Sequence, residues 1–163
     1  MKTLFLDIDG VLLRPGGPGE GEWARNDRAC LLLRKVLDES SCKIVLSSGR
    51  RFTPADLEAA LKMIPEIRAL DMHPHQLDRN PERRISIAEW LNRHPHTHEF
   101  AIIDDQGVLF DGTHDYIRNR LVLCCGQTGL SSRGARRTLQ LLGCDPDNIP
   151  LEGRLEEGDD SKL

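Results

Sequence analysis

The chain alternates short apolar runs with segments whose apolar residues recur at helical spacing. Three runs have the continuous apolar character of strands that are buried on both faces: residues 2–8, 43–47 and 100–103. Residues 120–123 predict a fourth strand and residues 67–70 a weaker one. Strands of this type need helices on both sides of their sheet.

Helices are predicted between these strands. The first is capped by Asn26 or Asp27 and ends at residues 40–41, and the second runs from Thr53 to about residue 63. Two more are predicted at residues 84–92 and 131–142. The alternation of strands and helices predicts a doubly wound α/β fold, with a mainly parallel sheet and helices on both faces.

The segments without periodicity are expected to be connections. Residues 14–22 are rich in glycine and proline but lack the GxxxxGK[ST] pattern of a phosphate-binding loop, so we expect a mobile flap beside a site. Residues 71–81 are expected to be a polar connection. We therefore predict one catalytic domain over residues 1–150, without a separate cap domain, and an acidic, disordered tail over residues 151–163.

Charge and cysteine usage narrow the possible classes of protein. The 22 basic and 26 acidic residues give a net charge of -4, and the last thirteen residues hold five of the acids and two of the bases. The near-neutral body lacks the basic footprint of a dedicated nucleic-acid binder. Five cysteines without a paired spacing, and an apolar start that is interrupted by Asp7 and Asp9, predict a cytoplasmic protein without disulfides or a membrane span.

Polar residues follow the predicted strands where the chain leaves the sheet. Ligands of open α/β sheets bind outside the carboxyl ends of the strands. Acidic side chains so close together repel one another unless a cation is present, and Mg²⁺ prefers oxygen ligands. We therefore expect a divalent metal site among the residues at these exits, which are Asp7 and Asp9, Ser47 and Ser48, Asp104 and Asp105, and Cys124 and Cys125.

The first exit has a recognisable pattern. Residues 7–12 (DIDGVL) resemble the DxDx(T/V)(L/V) signature of the haloacid dehalogenase (HAD) superfamily of phosphohydrolases. Ser47 and the pair at residues 104–105 are similar to the second and fourth motifs of that superfamily, in the expected order. The basic third motif is Arg83, with Arg84 as the alternative.

A longer series of segments resembles the small HAD domains of Swiss Army Knife RNA repair proteins. It comprises LFLDIDGVL, VLSSGR, residues 83–91, FAIIDD and LVLCCGQTGLSS. The resemblance implies a phosphorylated substrate, with the terminal phosphate of a nucleic acid or nucleotide as one candidate. The absence of room for a cap domain also favours a phosphate carried by a large molecule.

The resemblance implies a role for each motif residue. Asp7 would attack phosphorus and form an aspartyl-phosphate, and Asp9 would act as general acid and base. Ser47 would hydrogen-bond a phosphoryl oxygen and Arg83 would neutralise its charge. Mg²⁺ would be held by the Asp7 carboxylate, the Asp9 backbone carbonyl, Asp105 and Asp104, the last either as a ligand or as a supporting partner.

Other interpretations remain open. A HAD-like domain without catalysis could bind a phosphorylated ligand or protein partner, although the presence of both Asp7 and Asp9 favours an enzyme. The adjacent cysteines 124 and 125 are expected to be packed thiols. Five histidines have the spacing of a zinc site but lie in proline-containing segments, so we expect exposed turn residues at His73, His75, His94, His96 and His98.

Overall fold

The computed structural model describes residues 1–17, 19, 22–48, 58, 61–77 and 82–151. Four of its strands form one sheet in the order β4-β1-β5-β6, and every neighbouring pair is parallel. Two further strands form a separate antiparallel pair. In chain order the strands are β1 (Lys2–Leu6), β2 (Leu13–Pro15), β3 (Trp23–Arg25), β4 (Lys43–Leu46), β5 (Glu99–Asp104) and β6 (Leu121–Leu123).

The register of the sheet aligns the ends of its three central strands. Leu6 of β1 lies opposite Leu46 of β4 on one side and Ile103 of β5 on the other. The residues that follow these three therefore leave the sheet side by side.

Side-chain caps fix the starts of two helices. The Asn26 side chain accepts a hydrogen bond from Ala29 N (3.2 Å) at the start of the first, and Ser131 accepts one from Gly134 N (3.1 Å) at the start of the last. The first helix ends at Ser40, within the predicted range, and the following Ser41 adopts the left-handed conformation. In the described part of the chain, the α-helices with both ends visible are α1 (Asp27–Ser40), α2 (Arg83–Arg93), α3 (Asp115–Arg118) and α4 (Ser132–Leu141).

Helices cover both faces of the sheet. Helices α1 and α4 pack together and bury one face in a core that includes Leu4 and Leu6. Helix α2 covers the other face, where its fully buried Trp90 meets Phe5 edge to face at 5.3 Å. The doubly wound α/β architecture is confirmed.

Two local predictions were wrong. Residues 67–70 do not form a strand: the chain turns into a short 3-10 helix, Ala69–Asp71, because the buried Asp71 accepts hydrogen bonds from Arg34 (2.6 Å) and Arg68 N (2.8 Å). Residues 14 and 15, which were expected in a loop, belong instead to strand β2, and the expected mobility of the segment 14–22 stays a prediction. Strands β2 and β3 pair across this segment, and Gly16 N and Gly17 N both donate to the Glu22 carbonyl.

Several predictions fall partly outside the described residues. Residues 61–63 are helical, as expected, but the predicted start of that helix at Thr53 is not described, nor are residues 152–163 of the expected tail. All five cysteines are described and are free thiols; Cys124 is buried as expected, whereas Cys125 is exposed. In the described part of the chain no helix is both long and apolar enough to span a membrane.

Candidate active site

The carboxyl ends of β1, β4 and β5 bring together the residues that the sequence singles out. Asp7 directly follows β1, Ser47 directly follows β4, and Asp104 is the last residue of β5. Asp7 N donates to Ile103 O (3.0 Å) and Ser47 N donates to Leu6 O (2.9 Å), so the backbone ladder continues into the site. These side chains are therefore fixed by a rigid sheet.

The Asp105 side chain lies in a space that two glycines leave open. Gly10 has a φ of +74°, which disfavours other residues, and a Cβ atom there would overlap the Asp105 carboxylate. A Cβ atom on Gly126 would lie 2.9 Å from Asp105 Oδ2. Gly10 and Gly126, called here the glycine cradle, thus allow Asp105 to enter the site.

Arg83 supplies a positive charge to the acidic residues. It is the first residue of α2, it is buried, and its guanidinium lies 3.1 Å from Asp7 Oδ2 and hydrogen-bonds Asp104 Oδ2. Arg84 turns away from the site: it pairs with Glu82 at 3.3 Å and donates to the Asp111 carbonyl at 2.9 Å. Of the two arginines that the sequence left open, Arg83 is therefore the one in contact with Asp7 and Asp104.

Burial disfavours the negative charge that the site contains. It raises the pKa of Asp7 to about 6, a shift that Arg83 opposes and Asp104 increases. Burial also raises the pKa of Asp104, again against the influence of Arg83. One guanidinium thus faces more carboxylate charge than it can neutralise, and an additional cation would relieve the excess.

Three carboxylates offer a place for that cation. Asp7, Asp104 and Asp105 each present an oxygen within 4.8 Å of the others. Asp105 Oδ1 is buried and has no hydrogen-bond partner in the described part of the chain. Oxygen donors of this kind suit Mg²⁺. The Asp9 side chain does not belong to this group of three. The expected contribution of Asp9, through its backbone carbonyl, stays a prediction.

Two serine hydroxyls beside the acids also lack partners. Ser47 Oγ and Ser48 Oγ are both inaccessible to solvent, and neither has a hydrogen-bond partner among the residues described. An unpaired buried hydroxyl costs about 1–3 kcal/mol. A ligand that accepts hydrogen bonds at this edge of the sheet would recover that cost.

The expectation of exposed histidines is met at His75, His96 and His98, whereas His94 is half-buried and His73 is buried. His73 is buried, and its ring lies 5.7 Å from that of His75 and 5.4 Å from that of His94, which stacks on Trp90 at 3.8 Å. We call these four residues the histidine cluster. His73 Nδ1 is engaged with the His75 backbone (2.9 Å) and His94 Nδ1 with Trp90 O (2.8 Å). Of the residues described, only the three aspartates form a close set of metal ligands.

The fold and the site together are those of a HAD-type domain with a doubly wound α/β architecture. The family model for the HAD domain in Swiss Army Knife RNA repair proteins matches residues 3–135, and the chain belongs to this family. Among solved structures, the chain is similar to a HAD superfamily (subfamily III A) hydrolase from Legionella pneumophila, at 17% identity and a TM-score of 0.45, over 87% of this chain and 81% of that chain. No curated protein matches the chain.

Proposed function

We propose that this chain is a Mg²⁺-dependent phosphomonoesterase that acts through an aspartyl-phosphate on Asp7. The observation that carries the proposal is the meeting of the buried Asp7 carboxylate, the Arg83 guanidinium and the unpaired Ser47 hydroxyl at one edge of the sheet. Phosphoryl transfer requires a nucleophile, positive charge and hydrogen-bond donors around one phosphorus atom.

The reaction has two halves. In the first, a carboxylate oxygen of Asp7 attacks phosphorus in line while the bond to the leaving oxygen breaks, and Asp9 gives its proton to that oxygen. In the second, Asp9 takes a proton from water as the water oxygen attacks phosphorus and the bond to Asp7 breaks. Phosphate departs, the Asp7 carboxylate is restored, and Asp9 is protonated again. Ser47 and Arg83 hold the phosphoryl oxygens in both halves.

The acids have distinct tasks toward Mg²⁺. Asp105 is the direct ligand from the fourth motif, because its Oδ1 has no described partner, whereas Asp104 already bonds Arg83 and Gln106 N (2.8 Å). Asp7 provides a second carboxylate and Asp9 its backbone carbonyl. When bound, the ion supplies positive charge that offsets the phosphoryl oxygens and the excess of acids. Asp104 supports the site by fixing Arg83.

The substrate is a phosphate carried on a large molecule, with a nucleic-acid end as the leading candidate. The described chain between β1 and α1 contains only the small β2–β3 hairpin beside the sheet. The family is the HAD domain of RNA repair proteins, in agreement with a nucleic-acid substrate. The residues described between β1 and α1 therefore offer little with which to enclose a free metabolite.

Hydrolysis of an aryl phosphate in the presence of Mg²⁺ tests the mechanism. Asp7→Asn should lower kcat by at least about 10³-fold because the nucleophile is lost, and Asp9→Asn by about 10²-fold or more. Asp115→Asn, which changes an exposed carboxylate on α3, is the matched control and should match the wild-type rate. Undiminished turnover by Asp7→Asn would exclude Asp7 as nucleophile.

A substrate panel tests the remaining part of the proposal. Oligonucleotides with 3′- or 5′-terminal phosphates should give a kcat/KM at least about 10-fold above those of free nucleotides and sugar phosphates, a difference of roughly 1.4 kcal/mol. The opposite ranking would contradict the assignment to large substrates. Binding of the phosphorylated oligonucleotides without turnover of any phosphomonoester would identify a non-catalytic binding domain instead.

A further inference from the structure

Ser48 is a half-buried residue with a buried hydroxyl to which the proposed reaction assigns no role. It stands one residue beyond Ser47, after the end of β4, and the Oγ atoms of both are closed off from solvent. Within a regular strand two successive side chains would point to opposite faces. Because β4 ends at Leu46, the strand geometry no longer separates these two hydroxyls.

The backbone brings Ser48 next to Asp7. Leu6 and Leu46 are partners in the register of β1 and β4, and Ser47 N donates to Leu6 O (2.9 Å), so the chain at Ser48 leaves the sheet beside Asp7. Burial is the main influence on the pKa of Asp7, but the Ser48 hydroxyl is close enough to lower that pKa. In the resting structure the pair stops short of good hydrogen-bond geometry, since Ser48 Oγ has no partner among the described residues. A small rotation of either side chain could complete the bond.

The two oxygens of Asp7 are already partly restrained by other groups. Asp7 Oδ1 accepts a hydrogen bond from Ile8 N (2.9 Å), and Oδ2 faces the Arg83 guanidinium at 3.1 Å. These contacts place the carboxylate, but Arg83 is shared with Asp104 and must also serve the phosphoryl group. A further donor on the β4 side would keep the carboxylate plane fixed when Arg83 turns to its substrate.

We infer that Ser48 is a positioning residue for the nucleophile: its hydroxyl donates to the Asp7 carboxylate and holds it for in-line attack, while Ser47 binds the phosphoryl group. This inference depends on the proposed function, because it assigns Ser48 a part in the attack by Asp7. It predicts a division of labour between two neighbouring serines that have the same chemistry.

The test compares Ser48→Ala, Ser48→Thr and Ser47→Ala by rapid-quench kinetics with an aryl phosphate and Mg²⁺. Ser48→Ala should slow formation of the phosphoenzyme by about 10- to 100-fold, the loss of one hydrogen bond to a charged group, with KM changed less than about threefold. Ser48→Thr, which keeps the hydroxyl, should recover most of the rate. Ser47→Ala should mainly raise KM.

A second readout does not require turnover. Beryllium fluoride forms an adduct on an attacking aspartate, and its affinity in the presence of Mg²⁺ can be measured by fluorine NMR. Ser48→Ala should weaken adduct formation by about 10-fold or more, while its melting temperature without the ligand stays near that of the wild type. Ser48→Thr should bind like the wild type.

The outcomes separate the inference from the proposed function. A wild-type enzyme that turns over the aryl phosphate, with Ser48→Ala equal to it in both assays, overturns the inference and leaves the proposed function intact. A rise in KM alone for Ser48→Ala assigns Ser48 to the phosphate and also overturns the inference. A wild-type protein with neither turnover nor adduct overturns both.

Discussion

The two ends of helix α2 enter two polar clusters of opposite character. At its start, Arg83 meets acids and hydroxyls of which several atoms have no described partner: Ser47 Oγ, Ser48 Oγ and Asp105 Oδ1. At its end, Trp90 and the following His94 belong to the histidine cluster, where Trp90 Nε1 donates to His75 O (3.0 Å) and the Nδ1 atoms of His73 and His94 are engaged. The same helix therefore contacts one cluster with buried polar atoms that lack described partners and one cluster whose polar atoms are hydrogen-bonded within the protein.

The difference shows which polar groups maintain the fold and which await a ligand. Buried polar atoms are normally paired within the protein, since an unpaired one costs free energy. In the histidine cluster the pairing is internal, so the cluster stabilises α2 against the sheet. In the acidic cluster several atoms have no described partner, and the proposed cation and phosphate would supply one. Substitutions at the two ends should consequently have opposite effects on stability and on ligand binding.

The largest effect on stability is expected at the histidine end. Trp90→Ala should lower the free energy of unfolding by about 3–5 kcal/mol, because a fully buried side chain is replaced by a cavity beside Phe5. Urea titration followed by circular dichroism measures the change. Trp90→Phe keeps most of the packing and removes the bond to His75 O, so its loss should be smaller. A loss below about 1 kcal/mol for Trp90→Ala would contradict the structural role of this end.

The acidic end should show the reverse. Asp105→Asn removes one of the repelling charges, so the metal-free variant should be as stable as the wild type or more stable by about 1 kcal/mol. Mg²⁺ at 100 times its Kd should stabilise the wild type by about 2.7 kcal/mol, and this stabilisation should disappear in the variant. Thermal melts with and without Mg²⁺ measure both effects.

Asp115→Asn, on the exposed side of α3, serves as the control for a lost carboxylate and should keep the full response to Mg²⁺. An unchanged response in Asp105→Asn would remove Asp105 from the ligand set. A metal-free Asp105→Asn protein that is much less stable than the wild type would instead assign Asp105 a structural role, like that of Trp90.

The smallest effect is a pH dependence of the histidine end. Burial lowers the pKa of His73 below its usual 6.5, and the nearby His94, His75 and Lys43 lower it further, against a raising influence of the His75 backbone. Below that pH the unfolded chain binds a proton at this histidine more readily than the folded protein does. The free energy of unfolding should therefore fall as the pH drops below about 6.5. The difference in unfolding free energy between wild type and His73→Gln, measured from pH 8 to about pH 5, should follow this trend. Parallel curves would contradict it.

Much of the fold could be predicted because its signals are local. Strands β1 and β5 are continuous apolar runs that end in aspartates, and Asn26 and Ser131 are side chains suited to capping a helix. These local signals do not give the order of the strands in the sheet, which depends on how the strands pair. Hairpin β2–β3 escaped prediction because three-residue strands, one of them ending in proline, are too short to show a period of two.

The acidic residues of the site were predictable because they stand at strand ends, whereas the parts that depend on tertiary contacts were not. Adjacent positions such as Arg83 and Arg84 look equivalent in sequence, and only the docking of α2 distinguishes them. Gly126 joins Gly10 around Asp105 from a distant segment of the chain. His73 and His94 lie far apart in sequence, so their contact could not be inferred from spacing.

Helix α2 also links the position of Arg83 in the candidate active site to the packing of Trp90. Trp90 lies seven positions after Arg83, which is a distance of about 10 Å along the helix axis at 1.5 Å per residue. A tilt of about 6° at the tryptophan would swing the guanidinium by about 1 Å, a misplacement of the size that can reduce catalysis by about 100-fold. Changes in the packing of the indole ring would therefore abolish the proposed activity without altering any residue of the candidate active site and without unfolding the domain.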